Sequence, residues 1–100
     1  MNEIVVLSGA DGDLIELYNR FEDHSPNSGA EFDNDFAQSC DILLRHPEIA
    51  ARYRGPFRRL LMLDWHVGVF YTVTGDRVFI HAILDVRQNP QTISRRLGLR

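Results

Sequence analysis

One hundred residues, 44% hydrophobic and 25% charged, describe an ordinary globular domain with room for a modest core. No apolar run approaches the ~20 residues of a membrane-spanning helix, the N-terminus lacks a basic, signal-type region, and the single cysteine, Cys40, excludes an internal disulfide and fits a reducing cytoplasm. The net charge of −3 argues against indiscriminate nucleic-acid binding but hides an asymmetry: residues 1–50 hold eleven acids against two bases, residues 51–100 three acids against nine bases, and all eleven bases are arginine. The second half therefore offers a cationic surface suited to a nucleic acid or an acidic protein. Neither a Cys/His zinc pattern nor an internal repeat is present.

The chain opens with a short strand, Glu3–Leu7. Ser8 to Asp13 reads as a turn that caps a helix. Leu14, Leu17, Tyr18 and Phe21 then recur at i, i+3, i+4, i+7, one apolar helical face, and the helix ends near Asp23. Ser28-Gly29-Ala30-Glu31 matches a capping box, with Glu31 reaching back to Ser28. The second helix carries Phe32, Phe36, Cys40, Leu43 and Leu44 on one face. It stops at His46, because the residue before Pro47 is pushed away from helix. Cys40 reads as a small buried hydrophobe. Pro47 to Gly55 adds a helical turn, broken by Gly55-Pro56.

Three strands follow, Phe57–Leu63, Val67–Val73 and Arg77–Val86, rich in β-branched and aromatic residues. Gly75-Asp76 suits a two-residue hairpin turn with Gly at φ > 0. That turn pairs Thr74 with Arg77, Val73 with Val78, Tyr71 with Ile80, Val69 with Ala82 and Val67 with Leu84. Alternation then puts Val67, Val69, Tyr71, Val73, Val78, Ile80, Ala82, Leu84 and Val86 on a core face. The other face carries Gly68, Phe70, Thr72, Phe79, His81, Ile83 and Arg87, with His66 opposite Asp85. A last helix spans Gln91–Leu97, started by Pro90 and stopped by Gly98. The expected fold is α+β in one domain, residues 1–100: an N-terminal strand, a helical hairpin, a three-stranded antiparallel meander and a short C-terminal helix. The first strand is expected beside the Phe57–Leu63 edge.

This order of elements, with several local patterns, resembles the RelE/ParE superfamily of type II toxin–antitoxin toxins, on its ParE-like side. The matching segments are Ala10-Asp11-Gly12-Asp13-Leu14, His46-Pro47-Glu48-Ile49, Phe57-Arg58-Arg59-Leu60-Leu61, Val69-Phe70-Tyr71-Thr72-Val73, Gly75-Asp76-Arg77-Val78 and Val86-Arg87-Gln88-Asn89-Pro90. The resemblance implies a cytoplasmic, growth-inhibiting toxin of the plasmid-stabilisation type, neutralised by a cognate antitoxin and acting on a protein target, DNA gyrase first. It implies no cofactor. A RelE-like ribosome-dependent mRNA endonuclease is the alternative, and an inactive binding module with the toxin fold is a further one. Departures bear on that choice. RelE-type nucleases use an Arg at about the position of Gly68 and basic groups in the preceding strand, and many relatives have a His where this chain has Asp85.

The candidate site follows. Arg87 matches the family's C-terminal Arg, placed to grip a phosphate or a target carboxylate. Arg58 and Arg59 alternate, so one of them shares its face. His66 opposite Asp85 reads first as a cross-strand ion pair; as an acid–base pair, with Arg87 holding a phosphate, it would suit RNA cleavage through the 2′-hydroxyl. Tyr71 reads as structural, and Trp65 as either a core lid or a partner anchor. Phe70, Phe79, His81 and Ile83 form an apolar patch for the antitoxin to cover. That partner is expected to present acidic residues to the arginines.

Overall fold

The computed structural model describes residues 2–99. Strand β1 (Glu3–Val6) leads into α1 (Ser8–His24) and α2 (Ser28–Arg45). Four strands follow, β2 (Arg52–Arg54), β3 (Phe57–Met62), β4 (Val67–Thr74) and β5 (Arg77–Asp85), and then α3 (Pro90–Arg96). The sheet has five strands in the order β1-β5-β4-β3-β2. β1 runs parallel to β5, from Glu3 opposite Arg77 to Val6 opposite Ile80, and the other pairs are antiparallel.

This placement corrects two expectations. The first strand lies beside β5, not at the Phe57–Leu63 edge. That edge is occupied by β2, in a stretch that reads locally as a helical turn. Gly55 takes φ +53°, and with Pro56 it closes a turn so tight that Arg52–Arg54 folds back onto β3.

Helices α1 and α2 cover one face of the sheet. Leu17, Phe32 and Leu43 from the helices meet Val69, Tyr71 and Ile80 from the sheet, all nearly or fully buried. Each such side chain contributes about 1.5–3 kcal/mol of burial free energy. Cys40 lies half-buried against this core, and burial first, then Asp41, pushes its thiol up to about 11, away from thiolate chemistry. Trp65 is a core lid: its ring meets Phe21 at 4.7 Å and its Nε1 donates to Asp35 Oδ2 at 2.8 Å.

The capping box at Ser28 does not form. Glu22 of α1 caps α2 instead, its carboxylate accepting from Asn27 N at 2.9 Å and Gly29 N at 3.0 Å. Asn27 takes the left-handed conformation, φ 71°, so Ser28 already lies inside the helix.

The β4–β5 hairpin begins in the expected register, Thr74 with Arg77, Val73 with Val78 and Tyr71 with Ile80. It then changes. Phe70 faces Ala82, Val69 faces Ile83, Gly68 faces Leu84 and Val67 faces Asp85. His81 is the extra residue of a β-bulge, and alternation beyond it runs out of step with the sequence reading. Ile83 turns into the helix-side core, while Ala82 and Leu84 turn to the opposite face. The bulge is anchored where it sits: His81 Nε2 lies 2.9 Å from Thr72 Oγ1, and the His81 ring stands edge-on to Phe57 at 5.0 Å.

The second face is covered by α3. Ile93 and Leu97 bury Phe57, Phe70, Ala82 and Leu84. The helix is well bounded: Asn89 Oδ1 accepts from Gln91 N at 2.8 Å, Pro90 fills the first turn, and Gly98 leaves it at φ 72°.

Candidate functional surface

Two stretches carry the candidate arginines: β3, which sends Arg59 to the α3 side of the sheet, and the turn after β5, where Asp85 lies beside Glu16 and Arg20 of α1. Arg87 follows β5 and is well exposed, but its charge is already engaged. Asp85 Oδ1 accepts from Arg87 Nε at 3.1 Å and from Arg87 N at 2.8 Å, and Asp85 Oδ2 accepts from Nη2 at 2.8 Å. This two-pronged clamp holds the Asp85 carboxyl down at about 2 and raises the Arg87 guanidinium.

The expected His66–Asp85 pair is therefore not assembled. His66 ends a short 3₁₀ turn, Leu63–Trp65, in the left-handed conformation at φ 55°. Its carbonyl accepts from Val86 N at 2.9 Å, while the bulge moves Val67 into the position opposite Asp85. With Asp85 bound to Arg87, His66 and Asp85 form no acid–base couple among the described residues. Among the described residues there is also no cluster of three or more His, Cys, Asp or Glu placed to hold a metal ion.

Arg58 and Arg59 take opposite faces, as their alternation requires. Arg58, opposite Tyr71, donates from Nη1 to the carbonyls of Ala50 at 2.8 Å and Glu48 at 3.2 Å. It staples the loop leaving α2 to the sheet. Tyr71 beside it is fully buried. Arg59 lies on the α3 side, opposite Phe70, with its guanidinium 5.1 Å from the Tyr53 ring centre.

Gly68 decides how much chemistry this face has room for. A Cβ there meets Val86 Cγ1 at 2.8 Å, Phe70 Cε2 at 3.1 Å and Arg59 Cδ at 3.2 Å. The space is filled by neighbours, so any larger side chain at this position requires Val86, Phe70 and Arg59 to shift.

The apolar patch expected for a partner is divided by the bulge. Phe70 is fully buried beneath α3, and Ile83 is 1% exposed beneath the helices. Neither is open to a partner without unpacking the core. Phe79 and His81 stay half-buried on the α3 side, where burial pulls the His81 imidazole below its ordinary range.

The architecture of strand, helical hairpin, antiparallel strands and C-terminal helix is shared with a chain of a solved structure described as the chromosomal ParDE TA system from P. aeruginosa. The two superpose with a TM-score of 0.73 at 20% identity, over 83% of this chain and 94% of the other. The fold is ParE-like. No family model matches the sequence, and no curated protein matches it. No helix among the described residues is long and apolar enough to cross a membrane.

Within this ParE-like fold, one polar site escapes a reading of the sequence. Asp13 lies on the inward face of α1, 7% exposed. Its carboxylate accepts from Arg96 Nη1 and Nη2, both at 2.8 Å, and from Ile83 N at 3.0 Å. Arg54 Nη1 ties α3 a second time, donating to Ser94 Oγ at 2.7 Å. The signal was present in the sequence: Asp13 interrupts the stripe formed by Ala10, Leu14 and Leu17. Its partners are 70 and 83 residues away, beyond any local pattern.

Proposed function

We propose that this chain is the toxin of a type II toxin–antitoxin pair, acting by binding a protein target, with DNA gyrase the first candidate, and neutralised by a cognate antitoxin. The ParE-like fold supports the class. The mode of action rests on the α3 face of the sheet at Gly68 and on the turn after β5. A side chain at Gly68 crowds Val86, Phe70 and Arg59, Asp85 is bound to Arg87, and His66 makes no ion pair among the described residues. A surface without an assembled acid–base couple suits binding rather than RNA cleavage.

On this reading the arginines recognise rather than catalyse. Arg59 stands over the Tyr53 ring, and exposed Arg52 stands on the neighbouring edge strand. Arg87 engages its target by exchanging the Asp85 carboxylate for one on the partner. The antitoxin places acidic groups over the same half of the chain.

The test is tightly controlled induction of the chain alone in a bacterial host, beside Arg87→Ala and Arg59→Ala variants matched for expression. Arrest by the parent with rescue by a variant supports the reading. Continued growth with folded, soluble chain present contradicts it for that host.

A further inference from the structure

Two stretches of the chain carry no acid. Residues 50–63 and 86–100 hold eight of the eleven arginines and neither Asp nor Glu. The fold brings them together where β2 meets α3. Arg54 Nη1 donates to Ser94 Oγ at 2.7 Å. Tyr53 and Leu99 pack against the same core, and a Cβ on Gly55 would lie 3.5 Å from Leu99 Cδ2. A cleft of about 480 Å³ opens at this junction, lined by Arg54, Pro90, Gln91, Ser94, Arg95 and Leu99. That volume lies within the range of small-molecule sites.

The lining is a set of polar groups beside an apolar floor. Arg54 and Arg95 bring two positive charges, Gln91 and Ser94 an amide and a hydroxyl, and Pro90 and Leu99 apolar surface. Ser94 is 6% exposed. It accepts from one of the five N–H donors that a guanidinium carries, and so fixes where the Arg54 fork stands. Arg95 is exposed in the last turn of α3 and makes no ion pair among the described residues. A single carboxylate would match only one of the two charges. A phosphate monoester carries about −1.5 to −2 near neutral pH and presents three acceptor oxygens. It matches two guanidinium forks in both charge and acceptors.

We propose that the cleft between β2 and α3 binds a small organic phosphate of nucleoside monophosphate size, its phosphate held between Arg54 and Arg95 and its body resting on Pro90 and Leu99. Gln91 and the Ser94 hydroxyl add neutral hydrogen bonds. A bound phosphate bridges the edge strand and the C-terminal helix, so it also fastens α3 over the second core. The proposal does not depend on the toxin reading, because growth plays no part in its readout.

The probe is thymidine 5′-monophosphate, titrated into the full chain by calorimetry at low salt. Thymidine, inorganic phosphate and glutamate are run beside it. Saturable binding of the monophosphate, about tenfold tighter than inorganic phosphate and absent for thymidine and glutamate, supports the site. Arg95→Ala should weaken binding about tenfold, and Arg95→Glu should abolish it. Arg45→Ala, on the helical layer across the sheet, should leave it unchanged. Arg95 is exposed, so its variants should fold; if circular dichroism shows otherwise, Gln91→Ala carries the test, with an expected loss of about threefold. No saturable binding, equal affinity for inorganic phosphate or glutamate, or binding untouched by the variants of the cleft would each overturn the proposal. So would tighter binding of a 5′-hydroxyl oligothymidylate than of the monophosphate, which would move the phosphate to a nucleic-acid backbone.

Discussion

The Asp13 carboxylate and the Arg96 guanidinium join the first helix of the chain to the last through two hydrogen bonds of 2.8 Å. The same carboxylate accepts from Ile83 N, on a stretch of β5 beyond the end of β1, which pairs only as far as Ile80. One buried anion thus satisfies an otherwise orphaned backbone donor and fixes α3 over the second core. Burying it is tolerable only because every partner is present.

Asp13→Asn should therefore destabilise the fold by about 2–3 kcal/mol, less than for a fully buried pair because Arg96 is 38% exposed. Urea denaturation measures this. A double-mutant cycle with Arg96→Met should return a positive coupling energy, and additive effects would show that the pair stabilises nothing.

The Asp85–Arg87 clamp carries a pH signature. Asp85 is depressed from 3.8 to about 2, first by its hydrogen bond with Arg87. A depressed acid contributes stability that is present above its unfolded value and lost as pH falls through its folded value. The loss should fall between pH 4 and pH 2, and Asp85→Asn should flatten the curve in that window. The same variant frees Arg87. If Arg87 grips a target carboxylate, Asp85→Asn should strengthen growth inhibition, whereas unchanged potency would remove Arg87 from the binding surface.

His81 titrates with the opposite charge and the same sign of effect. Its pKa is lowered by burial, so the unfolded chain takes up the proton first. Stability should fall as pH drops below about 6.5. The slope should be shallower in His81→Gln, measured by thermal melts across that range. An unchanged slope would mean that the bulge histidine is solvated in solution.

Two glycines should respond in opposite directions. Gly12 lies inside α1, and a methyl group placed on its Cα would meet nothing within 4 Å, so Gly12→Ala should stabilise by up to about 1 kcal/mol. Gly68→Ala drives its methyl into Val86, Phe70 and Arg59 and should destabilise by about 1–3 kcal/mol. Denaturation midpoints for the two variants decide both.

Much of the fold was legible because its signals are local. The stripe Leu14, Leu17, Tyr18 and Phe21, the break at His46-Pro47, the turn at Gly75-Asp76 and the bounds of α3 each need only a few neighbouring residues. The bulge at His81 was not legible: a period-two pattern looks equally regular on either side of a one-residue slip. That slip exchanged Ile83 for Ala82 and Leu84 and dissolved the expected His66–Asp85 pair. The edge position of β1 was hidden for a similar reason, since a four-residue strand carries no mark of its neighbour. Of the candidate site, exposed Arg87 and the opposed faces of Arg58 and Arg59 were readable. The engagement of Arg87 with Asp85, two residues away, depended on a rotamer that no pattern encodes.

The most direct test of a binding rather than catalytic toxin is a supercoiling assay with purified DNA gyrase and purified chain, run beside ribosome-bound messenger with the same preparation. The account predicts that supercoiling is inhibited, with cleaved or relaxed DNA accumulating as the chain is added, while the messenger stays intact. Messenger cut within the ribosome, with gyrase unaffected at excess chain, would contradict it.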